Sequence, residues 1–409
     1  MTETTIPLTA ALGQPFPWPR VSFDPPKPYA WLRAEQPVTR VTTAEGQPVW
    51  LVTRYDDVRA ILTDPRVSAD SRNPGFPRIG ARPPSDAERP FLRMDRPEHT
   101  VFRRLLARHF TVRRMQALEP RIQRLVDETI DAMIAGDRPV DLVEALALPV
   151  PSMVLSWIIG VRAQDRHFFN TASQHLLNGH DVDDPAAPAR AREAGAALRG
   201  HLAELAAERD MASGPSDDIL GALITAERDG VITRQDTVNT MLVLTVAGHD
   251  TTAAMTATGL FTLLRNPGQL AELRADPGLL PNAVEELLRY LTISQLVVLR
   301  VATEDIEIGG VVIPAGEGIV PLTASADRDR DQFADADRFD LHRQTQGHLA
   351  FGYGAHQCIG QALARIELQV ILGTLLRRLP GLRLAVDPGE VPFRMYSQVS
   401  SVVTLPVAW

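Results

Sequence analysis

The stretch FGYGAHQCIG, Phe351 to Gly360, contains the single cysteine of this 409-residue chain. Gly352 and Gly354 lack a Cβ atom, so the backbone before Cys358 can turn tightly or approach another group closely. Beyond the cysteine, apolar residues recur at the spacing of one buried helix face, namely Ile359, Leu363, Ile366 and Val370. Cys358 therefore precedes a helix N-terminus, whose free N–H groups and positive dipole favour a thiolate. This arrangement suits metal ligation or nucleophilic attack, and an inert buried thiol is the alternative.

The bulk properties of the chain indicate an ordinary globular protein. Hydrophobic residues make up 44% and charged residues 22% of the sequence, as in proteins with a large core. The net charge of −8 argues against nucleic-acid binding, which favours a basic balance. One cysteine excludes an internal disulfide and suits a reducing cytoplasm. The N-terminus lacks a secretory pattern, and no window of about 18 apolar residues predicts a membrane anchor.

Hydrophobic periodicity predicts a mainly α fold with small β-sheets, formed by one domain over residues 1–409 with an extended, surface-exposed segment over 1–30. Helices are expected at roughly 115–135, 142–160, 163–177 and 187–210. The longest helix should run for about 32 residues, from a capping signal at Thr233 and Asp236 to Asn266. A strand is expected at Val49–Thr53, and the segment DIEIGGVVIPAGEGIVP should form a hairpin about Gly309-Gly310. Residues 68–90 and 178–188 are predicted to be loops.

The middle of the long helix carries the polar sequence AGHDTT, Ala247 to Thr252. Apolar or small residues surround it on all sides, so the helix should be buried, and a buried carboxylate at Asp250 is costly without partners. Asp250 is either a structural acid, paired for example with an arginine of another helix, or a functional group. On the functional interpretation, Gly248 opens space beside the helix. Thr251 bonds the Ala247 carbonyl, leaving a notch for dioxygen and water.

Two further pairs are weak signals by themselves. His99 and Arg103 are four residues apart, so they share one face of a helix that Pro97 opens. On this pattern alone a solvated basic face is the preferred explanation, because Arg104 and Arg108 also lie on this helix. Glu286 and Arg289 are three residues apart and able to pair, but an exposed ion pair of this kind contributes little to stability.

Taken together, these patterns resemble the cytochrome P-450 superfamily of haem-thiolate monooxygenases. Phe-Gly-x-Gly-x-His-x-Cys-x-Gly is similar to its haem-binding signature, and Ala-Gly-His-Asp-Thr to its oxygen-activating Ala-Gly-x-Asp/Glu-Thr motif. Glu286-x-x-Arg289 matches its Glu-x-x-Arg motif. The motifs occur in the family's order, and the resemblance covers roughly residues 20–409. The segments FDPPKPYAWLRAEQPV and RNPGFP resemble the actinobacterial branch. The implied fold is that of cytochrome P-450, with a long central helix over the haem.

The resemblance implies heme b (iron protoporphyrin IX) with Cys358 as the axial ligand of its iron. It assigns cofactor contacts to the following residues: His99, Arg103, Gly248, Arg300, Phe351, Gly352, His356, Cys358 and Gly360. Within this set, His99, Arg103, Arg300 and His356 match propionate-binding positions. Asp250 and Thr251 match the acid–alcohol pair that relays protons, whereas His249 falls on a variable position without an assigned role. Glu286, Arg289 and Arg338 match a structural ion-pair motif that stabilises the core around the cysteine loop.

The implied reaction is insertion of one oxygen atom of O2 into a bulky, mostly apolar small molecule, such as a macrolide, another polyketide, a terpenoid or a xenobiotic. The expected substrate contacts lie in residues 71–92, 168–185, 240–247, 293–297 and Gln398–Val399. Electrons should come from an external ferredoxin and ferredoxin reductase, because the sequence shows no flavin- or NAD-binding unit. Arg104, Arg113 and Arg365 are candidate docking residues, with a solvated cationic surface as the alternative. A cytoplasmic monomer is expected.

Two other functions compete with this interpretation. A haem-thiolate enzyme that uses peroxide or reduces nitric oxide would not need the Asp250–Thr251 pair, which is intact here. A non-catalytic accessory protein of the same fold would be expected to lack the cysteine or the relay residues. A cysteine hydrolase is disfavoured because His356 is adjacent in sequence, whereas the partners of such dyads usually meet through the fold.

Overall fold

The computed structural model describes residues 13–79, 89–179, 184–211, 217–294, 296–394 and 397–409. Within them the chain is mainly helical, as the sequence predicts. The helices span Pro28–Glu35 (α1), Tyr55–Thr63 (α2), Glu98–Ala107 (α3), Val112–Ala135 (α4), Pro149–Ile159 (α5), Arg166–Leu177 (α6), Ala187–Met211 (α7), Ile219–Arg228 (α8), Arg234–Arg265 (α9), Pro267–Ala275 (α10), Leu280–Leu291 (α11), Thr323–Ala326 (α12) and Gln361–Arg378 (α13). The helix expected at 142–160 is divided into a π-helical turn at Val143–Ala147 and α5.

The predicted long helix is confirmed as α9, which has 32 residues. Thr233 and Asp236 form a capping box at its start, and Asn266 caps its end. Helices α5, α6, α7, α11 and α13 pack around it, so most of its side chains are buried. One stripe is more accessible, because Ala247 is exposed and Val243 and Thr251 are only partly buried. These three residues are four apart, and they therefore share one face of the helix.

Three small sheets supply the β structure of the described residues. The strands are Val38–Thr42 (β1), Pro48–Val52 (β2), Val67–Ser68 (β3), Val140–Asp141 (β4), Arg300–Ala302 (β5), Ile306–Ile308 (β6), Val311–Ile313 (β7), Gly318–Pro321 (β8), Arg383–Leu384 (β9) and Pro406–Ala408 (β10). The sheet orders are β1-β2-β8-β5-β3, β4-β10-β9 and β6-β7. The predicted hairpin is confirmed for β6 and β7, since both turn glycines have positive φ. The prediction that the hairpin segment extends through IVP is wrong, because these residues belong to β8, which pairs with β2 and β5.

The N-terminal segment is partly buried, not wholly on the surface as expected. Residues 1–12 lie outside the described residues, but Phe16 and Trp18 belong to a hydrophobic cluster. Arg20 is also buried, and its guanidinium donates to the carbonyls of Leu291 and Thr292 at 2.8 and 2.6 Å. This segment therefore fixes the C-terminal end of α11.

Among the described helices, none has both the length and the apolar character that crossing a membrane requires.

Candidate functional site

The loop before Cys358 makes the tight turns that its glycines predict. Gly352 and Gly354 have φ values of 68° and 74°, in the left-handed region that glycine adopts without strain. A Cβ atom on Gly354 would lie 2.6 Å from the Leu62 carbonyl oxygen, so the loop approaches α2 too closely for another residue. The Cys358 amide donates to the Phe351 carbonyl at 2.9 Å, which closes the loop beneath the cysteine.

The surroundings of Cys358 favour and oppose its thiolate at the same time. The side chain has solvent-accessible surface, yet protein atoms enclose it enough that burial raises the pKa of its thiol. The backbone N–H groups of Gly360 and Gln361 act against this increase, as do the guanidiniums of Arg103 and Arg365. A metal cation bound to the sulfur would take the place of the proton and would stabilise the thiolate in spite of its burial. The described residues contain no cluster of three His, Cys, Asp or Glu side chains for a bare metal ion.

Arg365 braces the cysteine loop and is therefore not free for docking. Its guanidinium binds Glu285 at 2.6 and 3.0 Å and lies 4.7 Å from the Phe351 ring centroid. The ring of Phe351 also contacts His348, at 5.9 Å between centroids. Although burial acts to raise it, hydrogen bonds from His348 and Arg365 lower the pKa of Glu285 to about 2. The expected docking role of Arg365 is not supported, because its charge is already matched inside the protein.

The four residues expected to bind propionates cluster together, and a third arginine joins the two already among them. The rings of His99 and His356 are 4.0 Å apart. Burial and nearby arginines, chiefly Arg103 and Arg300, lower the pKa of His99 to about 4 and of His356 to about 2. Burial likewise lowers the pKa of Arg300 to about 10 and that of Arg103. The fifth member is Arg93, whose pKa falls to about 9 through burial and the charge of Arg300.

The cluster holds more positive charge than the nearby acid can balance. Asp95 attracts Arg300 and His99, but its own oxygens accept hydrogen bonds from Ser68 and the Ala69 amide. Nη1 of Arg93 and Nδ1 of His356 are buried without a hydrogen-bond partner among the described residues. Buried polar atoms are normally paired. The unpaired Arg93 nitrogen is a donor, and His356 Nδ1 is one in the tautomer that carries its hydrogen there, so these residues fit a ligand with anionic oxygens, such as the two propionates of haem.

Arg93 was missed in the sequence because it lies in none of the matched motifs. Its only local signal is its position in FLRMDRPEH, six residues before His99. The guanidinium lies 5.0 Å from the Phe76 ring centroid, a contact between segments that no spacing rule reveals.

The hydroxyl of Thr251 donates to the Ala247 carbonyl at 2.7 Å, as predicted. It does so on the accessible stripe of α9. The expectation for Gly248 is wrong, because the space beside it is filled. A Cβ atom on Gly248 would lie 2.7 Å from a methyl group of Leu155 on α5, so this glycine lets two helices pack closely.

Asp250 lies on the buried side of the same helix turn. Its side chain is 4% exposed, and burial raises its pKa, against the opposing charges of His249 and Arg394. From the sequence, an arginine of another helix was considered as a partner for Asp250. Arg394 instead comes from the C-terminal segment, outside the helices. His249, which received no role from the sequence, is 1% exposed and contacts Asp250 at 3.5 Å.

The predicted pair of Glu286 and Arg289 is fully buried, not exposed. Arg289 binds Glu286 at 2.6 and 2.8 Å and donates to the carbonyls of Asp327 and Ala336. The third member is Arg343, whose Nε lies 3.1 Å from Glu286. The expectation that Arg338 fills this position is wrong, since its side chain is 70% exposed and only its backbone carbonyl accepts from the two buried arginines.

A short path connects this ion-pair triad, Glu286, Arg289 and Arg343, to the cysteine loop. Arg289 bonds the carbonyl of Asp327, and the Asp327 carboxylate accepts from the Leu349 amide at 2.6 Å. The Leu349 carbonyl in turn accepts from Gly352 at 2.8 Å. The triad is thus placed to hold the loop, as the sequence motif implied.

Several of the expected substrate-contact segments contact one another, and one of them packs on α9. An isolated bridge joins Ser294 to Val399, and the Ser397 hydroxyl bonds the Leu177 carbonyl at 3.3 Å. Helix α6, which ends at Leu177, packs on α9. Other parts of the expected contact set, residues 80–88, 180–183 and Gln295, lie outside the described residues.

Comparison with known proteins identifies the family of this chain. Residues 26–407 match the family model described as Cytochrome P450. The chain is 45% identical to cytochrome P450-SU2 of Streptomyces griseolus, covering 99% of this chain and 97% of the relative. It is 44% identical to pentalenic acid synthase of Streptomyces avermitilis over the full length of both.

A solved structure extends the agreement to the fold. The mycinamicin VIII C21 methyl hydroxylase of Micromonospora griseorubida, bound to mycinamicin VIII, superposes with a TM-score of 0.90 at 38% identity. The match covers 96% of this chain and 99% of that one. The predicted family, fold and enzyme class are confirmed: this chain belongs to the cytochrome P450 family, in its actinobacterial branch, and is a haem-thiolate monooxygenase.

Proposed function

We propose that this enzyme inserts one oxygen atom of O2 into a bulky, mostly apolar small molecule of the macrolide, polyketide, terpenoid or xenobiotic type. The observation that carries the proposal is the accessible stripe of α9, where Val243 and Ala247 precede Thr251. The segments around Ser294, Ser397 and Leu177 contact one another, and the helix that ends at Leu177 packs on α9. An apolar wall next to one hydroxyl suits an apolar substrate. The relative named as a mycinamicin hydroxylase supports a large ligand.

Haem b is the proposed cofactor, and the site residues fit it. Cys358 would ligate the iron, and the neutral His99 and His356 with Arg300, Arg103 and Arg93 would hold the propionates. When bound, haem supplies the activation of dioxygen, which a thiolate ligand favours by electron donation. The Gly360 and Gln361 amides would tune the sulfur by hydrogen bonding.

Thr251 and Asp250 are the proposed proton-delivery pair. The Thr251 hydroxyl donates to the Ala247 carbonyl and lies on the accessible face, so its oxygen can still accept a hydrogen bond there. Asp250 is the proposed source of the proton. Burial raises the pKa of Asp250, which favours its protonated form and so suits a proton donor.

Thr251→Ala is expected to lower the product formed per electron pair by about 10-fold or more, since positioned proton transfer typically contributes about 10²- to 10⁴-fold. Hydrogen peroxide should rise correspondingly. The measurement compares product, NADPH consumed and peroxide, with ferredoxin and reductase present. Thr252→Ala is the matched control, because this neighbouring threonine is buried. Unchanged product yield without extra peroxide would contradict the relay and favour a peroxide-using enzyme.

The proposed ferredoxin docking surface is the outer face of α3 and the segment before it. A groove of about 560 Å³ is lined by Arg96, Pro97, Thr100, Val101 and Arg104. The same helix carries His99 and Arg103 toward the cation cluster, so a partner bound here would lie near the cofactor-binding residues. Arg104 and Arg113 are exposed, and their charge would attract an acidic partner. One domain over residues 1–409 and a cytoplasmic monomer remain predictions.

Arg104→Glu is expected to slow second-order electron transfer from ferredoxin by about 10-fold at low salt, since steering by charge changes association rates by about 10- to 10³-fold. The difference should shrink as salt screens the surface charges. Stopped-flow reduction across a salt series measures this effect. Arg338→Glu provides the control, because it reverses an exposed charge elsewhere. Equal rates and equal salt dependence for the two variants would argue against this docking face.

A further inference from the structure

His249 and Asp250 approach each other unusually closely for consecutive helix residues, which do not normally face one another. Nε2 of His249 lies 3.5 Å from Oδ2 of Asp250, and both side chains are almost fully buried. Nδ1 of His249 lies 2.8 Å from the carbonyl oxygen of Thr245. Because a carbonyl only accepts, Nδ1 must carry a hydrogen. Among the described residues, neither Nε2 nor Oδ2 has a hydrogen-bond partner.

The hydrogen on Nδ1 limits the protonation states that are possible for Nε2 of His249 and Oδ2 of Asp250. If Nε2 were bare and Asp250 ionised, a lone pair would face a carboxylate oxygen in a buried environment, leaving both acceptors unsatisfied. A single proton placed on either atom removes this conflict. It gives a neutral carboxyl group facing imidazole, or a carboxylate facing imidazolium, and the pair has zero net charge in both cases. Burial favours the states without net charge.

Arg394 is a charged side chain from outside α9 that acts on Asp250. It attracts Asp250 while burial lowers its own pKa, and its backbone amide is fixed to the Ser401 carbonyl at 2.9 Å. The positive charge of Arg394 would stabilise the carboxylate that remains when the proton leaves Asp250.

From this geometry we propose that His249 and Asp250 share one exchangeable proton between Nε2 and Oδ2, and that His249 is a positioning residue for proton delivery by Asp250. The inference deepens the proposed function and rests on it. When the proton leaves Oδ2 toward the Thr251 side of the helix, the carboxylate keeps the electron pair of the O–H bond. A proton that originates in solvent must then reach Nε2, which is buried, to restore the pair, and no electron is transferred.

The first test is spectroscopic and needs no turnover. The haem-loaded enzyme in its diamagnetic ferrous carbonyl form is labelled with ring-¹⁵N histidine, and His249→Gln identifies one resonance among those of 10 histidines. Infrared spectra of wild type and Asp250→Asn detect a protonated carboxyl group. At neutral pH we expect either a doubly protonated His249 ring or a carboxyl band that Asp250→Asn removes. A ring with a bare Nε2, together with no such band, would overturn the proposal.

The second test is kinetic. His249→Gln keeps an N–H donor but cannot take up a proton, so product per electron pair should fall about 10-fold, with a steeper loss as pH rises. His201→Gln is the matched control, because His201 also contacts an aspartate, Asp165, at 3.1 Å outside α9. Wild-type product yield in His249→Gln across the pH range would refute the role. If Asp250→Asn and Thr251→Ala were also unaffected, the proposed relay itself would fail, so the two failures are distinguishable.

Discussion

Cys358→Ser is expected to abolish substrate oxidation and the red-shifted Soret band of the reduced, carbon monoxide-bound protein. Activity should fall by more than about 100-fold. Mutating a residue that merely hydrogen-bonds a metal ligand typically costs about 10- to 100-fold, and this substitution removes the ligand itself. Serine has nearly the same size, but its hydroxyl does not ionise near neutral pH. Burial already raises the pKa of the thiol, and it would oppose an alkoxide more strongly. The readouts are the absorption spectrum and turnover with ferredoxin and reductase.

The same loop offers a matched control for this substitution. Ala355→Ser adds a hydroxyl to an exposed position three residues before the cysteine and should leave both readouts unchanged. A red-shifted band that persisted in Cys358→Ser would refute thiolate ligation by Cys358. A wild-type protein that stayed folded but took up no haem would instead favour the accessory-protein interpretation.

Local features of the site could be predicted from sequence because short-range geometry determines them. The positive φ of Gly352 and Gly354 follows from the turn that precedes Cys358. The hydrogen bond from Thr251 to Ala247 follows from helical spacing. The caps of α9 follow from the residue types at its ends. In each of these cases the interacting groups lie within a few residues of one another.

Contacts between segments that are distant in sequence could not be predicted from local residue spacing. Gly248 could open space or admit a neighbour, and only the packing of α5 decides that Leu155 takes the space. Arg93 and Arg394 act on groups from other segments, and neither belongs to a motif that spacing rules recognise. The choice between Arg338 and Arg343 depended on how the chain turns after α12, a tertiary property. The two arginines are only five residues apart, and their side chains end up in opposite environments.

Arg289→Leu is expected to lower the free energy of unfolding by about 3–5 kcal/mol, the usual cost of removing one partner of a buried ion pair. Glu286 is fully buried, so among the described residues its charge would retain Arg343 and the Asp340 amide as partners. The carbonyls of Asp327 and Ala336 would also lose their donor, and Asp327 connects the triad to the cysteine loop. Haem retention should therefore fall together with stability. Urea unfolding of the haem-loaded proteins, followed by absorbance and fluorescence, measures both effects.

The comparison of Arg343→Leu with Arg338→Leu decides which arginine completes the triad, even if Arg289→Leu does not fold. Arg343 is 8% exposed and donates to Glu286 and to the carbonyls of Ala334, Asp335 and Arg338. Its loss should cost about 1.5–3 kcal/mol, as for hydrogen bonds to charged groups. Arg338→Leu removes an exposed side chain and keeps the carbonyl that the triad uses, so its effect should stay within about 0.5 kcal/mol. Equal losses in the two variants would mean that the Arg338 side chain supports the core after all.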